Sequence, residues 1–198
     1  FKELPLMEPK DGTVLFHPYI SKSSFRAIKK VLSGRWIGQG PLVDKFEKKF
    51  KSMFAKNNHC IATGSGTDAL HLAYILADLK KGDEVITAAN TAIPTISAII
   101  NSGAKPRLVD VGDDYLMKPN KIENEITKKT KAIIPVHLYG QSCDMDKIIR
   151  IAKKNKLAIV EDCAQSQGSK YKNKYTGTFG KFGCFSFYPT KILGAYGD

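Results

Sequence analysis

The chain has 198 residues, 42% hydrophobic and 25% charged, with a net charge of +12 from 31 basic and 19 acidic side chains. That length suffices for one sizeable core, and the composition is that of an ordinary globular domain rather than a disordered segment. No run reaches the roughly 18 apolar residues of a membrane-spanning helix, and four scattered cysteines without a CxxC pair argue against a zinc or disulfide framework.

The first residues, "FKELPLMEPK", show neither an apolar signal core nor an initiator Met, and Asp198 falls inside a Gly-rich stretch. The chain is therefore expected to be a fragment, with its thiols in a reducing compartment. Next, "SKSSFRAIKKVLSG" reads as a helix, with serine for its N-cap and Gly34 as its stop. A Gly-rich loop, "GRWIGQGP", leads to a second helix, "VDKFEKKFKSMF", which sets Val43, Phe46, Phe50, Met53 and Phe54 on one stripe. The basic charge is expected to sit on the solvated faces of such helices rather than on a nucleic-acid site. Only Arg26, Arg35, Arg107 and Arg150 supply guanidinium groups, the side chains best suited to reading bases.

From His59 the pattern alternates. Strands are expected at "HCIAT", "EVITAA", "PRLVDV", "KAIIPVHL", "LAIVEDCA" and "FGCFSFY". Helices are expected at "TDALHLAYILADL", "PTISAIINSG", "KIENEITKKT" and "MDKIIRIAKKNK". The fold class is α/β, a mostly parallel central sheet with helices on both faces, because runs such as "AIIPV" and "LAIV" lack a polar side. Ligands of such sheets collect beyond the carboxyl ends of the strands.

Three stretches lie at those ends. "ATGSGTDAL" follows the first expected strand and opens a helix. Gly64 and Gly66 let backbone approach a ligand or take positive φ, and the free N–H groups suit a phosphate. An ordinary capped turn at Ser65 or Thr67 reads equally well. In "LAIVEDCAQSQG", alternation points Glu161 and Asp162 to opposite faces of the sheet. Asp162 could pair with a protonated ring nitrogen, with Gln165 near the same ligand, or could simply cap a helix. In "FSFYPTKILGAYGD", Lys191 lies among apolar and turn residues. Desolvation there would favour a neutral amine able to attack a carbonyl carbon; alternatively the side chain snorkels to solvent. A phosphate cradle, a carboxylate and a desolvated amine are together the three handles of pyridoxal 5′-phosphate (PLP).

With "RWIGQGPLVDKFE" and "NTAIPTISAIINSGAKPRLVDV" in support, "GSGTDAL", "EDCAQSQG" and "SFYPTKILGAYGD" resemble the PLP-dependent sugar aminotransferases of the DegT type, within the fold-type-I superfamily. The resemblance runs from about Leu15 to Asp198. It implies that residues 1–198 are an N-terminal segment plus the large PLP-binding domain, with a smaller C-terminal domain beyond. It implies that Lys191 is the catalytic lysine that binds the cofactor aldehyde, that Asp162 pairs with the pyridine nitrogen, and that Gln165 lies beside the ring. Ser186, Gly66 and Thr67 match the phosphate site. Ala92 stands where many members stack an aromatic residue, and Gln167 where many have His, so the stacking group and the substrate side are expected to differ. The implied reaction moves an amino group, from glutamate, to a nucleotide-linked keto sugar, in a cytoplasmic homodimer of polysaccharide biosynthesis. Alternatives within the resemblance are a sugar dehydratase, a cyclitol transaminase or a non-catalytic regulator; some relatives that are dehydratases carry His where Lys191 stands.

Overall fold

The computed structural model describes residues 18 and 20–196. Expectations that touch the start "FKELPLMEPK", the beginning of the resemblance at Leu15, and the turn at Gly197 lie outside the described residues. The chain divides after Ile37 into two compact units.

The first unit holds α1 (Lys22–Ser33). Ser21 accepts the Ser24 N–H on its side-chain oxygen at 3.3 Å, and the Gly34 N–H closes the last turn onto the Lys30 carbonyl at 3.0 Å. Both ends thus follow the expected serine cap and glycine stop.

The second unit opens with α2 (Pro41–Phe54), where Pro41 takes the first helical position and loses no hydrogen bond there. Phe46, Phe50 and Phe54 continue into a ladder of rings with Phe185, Phe187 and Tyr175, at centroid separations of 5.0–5.3 Å. Met53, placed on the same stripe from sequence, is half exposed, so the buried face is narrower than its periodicity implied.

The remaining elements are α3 (Gly66–Leu76), β1 (Glu84–Ala88), α4 (Ile93–Asn101), β2 (Lys105–Val109), α5 (Pro119–Glu125), β3 (Thr130–Ile134), α6 (Met145–Asn155), β4 (Ala158–Asp162), the short hairpin β5 (Lys170–Tyr171) and β6 (Lys174–Tyr175), and β7 (Phe182–Cys184). Five strands form one sheet in the order β2-β1-β3-β4-β7, every pairing parallel. Alternation along the strands builds two cores. Ile86, Ile133 and Ile159 face Ile122 of α5 and Met145, Ile148 and Ala152 of α6. Val85, Ala132, Ile134 and Val160 face Leu70 and Tyr74 of α3 and Ala98 and Ile99 of α4. Helices on both faces explain why these strands read as unbroken apolar runs.

One expected strand is absent. "HCIAT" lies in irregular chain without ladder pairing. The Ala62 N–H goes to the Glu47 carboxylate at 2.7 Å instead, and Ile61 is 74% exposed. A cavity of about 330 Å³ lies between this segment and the loop and strand from Gly177 to Phe187. Apolar β-branched content alone does not make a strand where no neighbour offers its edge. The hairpin β5–β6 was not expected. Lys172 and Asn173 turn it with φ of 46° and 66°, a hairpin-turn geometry in which Asn is favoured. Among the described residues no helix is long and apolar enough to cross a membrane. The four cysteines are unpaired, and burial pushes the Cys143 thiol up to about 12 and the Cys163 thiol up as well.

Candidate functional site

Chain order makes β1 the point where the sheet's growth reverses, from β2 on one side to β3, β4 and β7 on the other. Loops leaving strands on either side of such a point splay apart and leave a crevice. A cavity of about 300 Å³ lies there, at the lower end of the range for small-ligand sites. Asp162 at the end of β4 lines it, with residues after β1 (Ala92, Thr95), β3 (Leu138), β4 (Gln165) and β7 (Ser186). So do Gly66, Thr67 and Lys191; Gly66, Thr67, Ala92, Asp162, Gln165, Ser186 and Lys191 therefore meet in this one cavity, whereas Gly64, Glu161 and Gln167 do not line it.

The N-terminus of α3 forms one wall. Ser65 is its N-cap: the side chain accepts the Asp68 N–H at 3.0 Å and the carbonyl accepts the Ala69 N–H at 3.0 Å. The capped-turn reading is thus correct for Ser65, and it leaves the Gly66 and Thr67 N–H groups without a protein acceptor among the described residues. The cap does not exclude the phosphate reading, because a side-chain cap occupies only some of a helix's free donors. Neither Gly64 nor Gly66 adopts positive φ. Gly66 is required by close approach instead, since a Cβ there would lie 2.8 Å from the Cβ of Ser186. Gly66→Ala is expected to push α3 off the end of β7 at a cost of about 1–3 kcal/mol, read as a lower urea midpoint at unchanged m-value.

Asp162 ends β4 with 4% exposure. It caps no helix. Its Oδ1 accepts the Ala164 N–H at 3.1 Å and its Oδ2 accepts the Thr95 hydroxyl at 2.6 Å. Burial, and then the Asp162 carboxylate, push the phenol of Tyr74 well above its ordinary value. Gln165 is held by its Oε1, which accepts the Tyr139 N–H at 2.9 Å; Tyr139 itself has φ of 54°.

Glu161 points to the other side of the sheet, as alternation requires, and is fully buried. Its Oε1 accepts the N–H groups of Phe179 at 2.6 Å and Gly180 at 2.7 Å. Its Oε2 accepts the Gly177 N–H at 2.8 Å and faces His137 Nε2 at 3.1 Å. His137 Nδ1 accepts the Cys143 N–H at 3.1 Å, so the ring proton is on Nε2 and is donated to Glu161. His137, Glu161 and Cys163 bring their ligand atoms within 4.8 Å of one another, which sequence spacing could not show. Four donors aimed at the Glu161 oxygens make this the setting of a carboxylate bound by N–H groups.

Lys191 sits in the turn after β7, where its N–H donates to the Tyr188 carbonyl at 2.8 Å and the Ala195 N–H closes onto Phe187 at 2.7 Å. Gly194 fits this turn by close approach, a Cβ there falling 2.4 Å from the Pro189 carbonyl oxygen. The side chain is partly buried, and among the described residues nothing pairs with its amine. Ala92 brings no ring to the cavity; the aromatic residues that line it are Phe185 and Tyr188. Gln167 is not in the lining. It is buried and donates from Nε2 to the carbonyls of Ser186 and Ala164, tying the β4 loop to the end of β7. Thr91, Thr95 and the Glu161–His137 pair escaped sequence reading, since none lies in a recognisable spacing with its partner.

The chain matches the DegT/DnrJ/EryC1/StrS aminotransferase family over residues 18–198. It is 43% identical to dTDP-3-amino-3,4,6-trideoxy-alpha-D-glucose transaminase of Micromonospora megalomicea subsp. nigra, over 87% of this chain and 46% of that protein. It is likewise 43% identical to the "pleiotropic regulatory protein" of Geobacillus stearothermophilus, over 87% of this chain and 46% of that one. Its fold superposes on the PLP form of Spr1654 from Streptococcus pneumoniae with a TM-score of 0.85 at 30% identity, covering 90% of this chain and 50% of the other. The chain thus spans about half the length of the curated relatives it matches. With the fold, the cavity and these likenesses in agreement, the chain belongs to the DegT/DnrJ/EryC1/StrS aminotransferase family.

Proposed function

We propose that the protein carrying this chain is a PLP-dependent aminotransferase that moves an amino group from glutamate to a nucleotide-linked keto sugar. The observation that carries this reading is the convergence of Lys191, Asp162 and the α3 N-terminus with Ser186 on one cavity. An amine, a carboxylate and a set of free N–H and O–H donors match an aldehyde, a ring nitrogen and a phosphate in turn. Gly66 fits the phosphate end, because only a residue without Cβ lets the helix donors and Ser186 stand side by side.

When bound, PLP supplies an electron sink for the bond-breaking at the substrate's α-carbon. The chain's residues do the rest. Asp162 holds the ring-nitrogen proton in place. Thr67 and Ser186 anchor the phosphate with the first N–H groups of α3. The Lys191 amine would take the α-proton as general base and, as general acid, deliver it to the carbon that was the cofactor's aldehyde. Leu138, Phe185 and Pro94 line the cavity with apolar surface that limits water.

The sugar-nucleotide substrate is supported by the name of the Micromonospora relative and by that of the GDP-perosamine synthase of Escherichia coli O157:H7. We further infer a cytoplasmic homodimer, with residues 1–198 as an N-terminal segment plus the large cofactor-binding domain and a smaller domain in the rest of the protein. Exposed Ile93 and Ile75, 81% and 53% accessible, support a partner surface on this chain. A regulatory reading draws on the Geobacillus relative. Incubating the full-length protein with PLP, glutamate and a panel of dTDP- and GDP-linked keto sugars separates the two. Transamination predicts 2-oxoglutarate and amino sugar in equal amounts. No turnover across the panel, with DNA binding that falls steeply with salt, would favour the regulator.

A further inference from the structure

Asp162 does not stand alone at the end of β4. Thr95, in the first turn of α4 and 1% exposed, reaches over β3 and donates its hydroxyl to Asp162 Oδ2 at 2.6 Å. A hydroxyl has one proton, and here it is committed to the carboxylate. The Thr91 hydroxyl, 2.7 Å from that of Thr95, must therefore be the donor in that second contact. The Ala164 N–H fixes the other carboxylate oxygen at 3.1 Å. Each oxygen thus has one protein donor among the described residues, and Asp162 lines the cavity with acceptor capacity to spare. Thr91 and Thr95 line the same cavity, on either side of Ala92.

We propose that Thr95, with Thr91 behind it, is a positioning residue that aims Asp162 at the ring nitrogen and keeps the shared proton on the ring. The inference rests on the cofactor reading above. Its physical basis is that a hydrogen bond donated to a carboxylate favours the charged form over the protonated one. The fixed side-chain torsion also leaves one carboxylate edge, rather than a choice of rotamers, to meet the ligand.

The test uses the full-length protein with PLP carrying nitrogen-15 in its ring. Thr95→Val keeps shape and removes the donor; Thr95→Ser keeps the donor. Hydrogen bonds to charged groups contribute on the order of 1.5–3 kcal/mol, so Thr95→Val is expected to weaken PLP binding roughly 10- to 100-fold. Its ring-nitrogen NMR signal should move toward that of unprotonated pyridine. Thr95→Ser should stay within about threefold of wild type in affinity, with the signal unmoved. Thr91→Val, which removes only the second donor, should lose about threefold and shift the signal less. A Thr95→Val protein that melts lower but retains both affinity and nitrogen signal overturns the proposal, because a purely structural hydroxyl behaves that way. If Thr95→Val does not fold, an unchanged signal and affinity in Thr91→Val overturns it equally. A wild-type protein that binds no PLP defeats the cofactor reading itself, a result distinct from either.

Discussion

Lys191→Ala is expected to abolish amino transfer, lowering turnover by about 10³-fold or more, within the span assigned to a lost general acid–base group and enlarged by loss of the covalent bond to the cofactor. The lysine is placed by backbone, not by side-chain partners. Its N–H donates to Tyr188, and the turn is closed by the Ala195 N–H on Phe187 and by the close approach of Gly194 to Pro189. Truncation to alanine therefore removes the amine and leaves the turn intact. The variant should fold, and should still hold PLP weakly through Asp162 and the phosphate donors, because those groups come from β4, α3 and the end of β7. What should vanish is the visible absorbance that depends on a covalent nitrogen–carbon bond to the protein. A Lys191→Ala protein with that band and wild-type turnover would show that another amine does the chemistry. Lys191→Arg should fail nearly as badly, since a guanidinium stays charged and is no nucleophile.

Much of this site could be read from sequence because its parts follow strands of unambiguous pattern. Ile133, Ile134, Ile159 and Val160 are apolar on both faces of their strands, which required helices on both sides and so fixed where the loops emerge. Glu161 and Asp162 could be assigned to opposite faces by alternation alone. What failed depended on long-range partners. "HCIAT" has strand-like residues, but whether it pairs is decided by a neighbouring edge, and its Ala62 N–H goes to Glu47 instead. The β5–β6 hairpin was hidden because its lysines, which lie over the rings of Tyr171, Tyr175 and Phe179, look like surface charge. Thr95 and Asp162 are 67 residues apart, and His137 and Glu161 are 24 apart; no local pattern connects either pair. Gln167 was expected to alter the substrate side of the site, yet its amide is directed at the Ser186 and Ala164 carbonyls. Here the departure from a familiar motif fastens Ala164 and Ser186, which line the cavity, from a side chain that does not line it.

The largest loss of stability should come from Glu161→Ala. The carboxylate is fully buried and holds the N–H groups of Gly177, Phe179 and Gly180 together with His137 Nε2. Truncation leaves the buried His137 Nε2 and three part-buried backbone N–H groups without this acceptor, and because each hydrogen bond to a charged group contributes about 1.5–3 kcal/mol, a loss of several kcal/mol is expected. Against a total stability of roughly 5–15 kcal/mol for a domain, that is a large fraction. Glu161→Gln retains the volume and one acceptor oxygen but turns an amide toward N–H donors, so it should cost less, about 1–3 kcal/mol. Both should show as a lower urea midpoint, with the Ala variant lower, and as faster amide exchange at residues 177–180. The loop freed in this way feeds β7, where Gly183 packs so closely on Gly177 that a Cβ would fall 2.3 Å from its carbonyl oxygen. Loosening residues 177–180 therefore displaces the strand whose end carries Cys184 and Ser186. PLP affinity should fall in Glu161→Ala, although Glu161 does not line the cavity. If the Ala variant unfolds at the wild-type urea concentration and the 177–180 amides stay protected, the loop is held by its own packing and the buried carboxylate contributes nothing to the site.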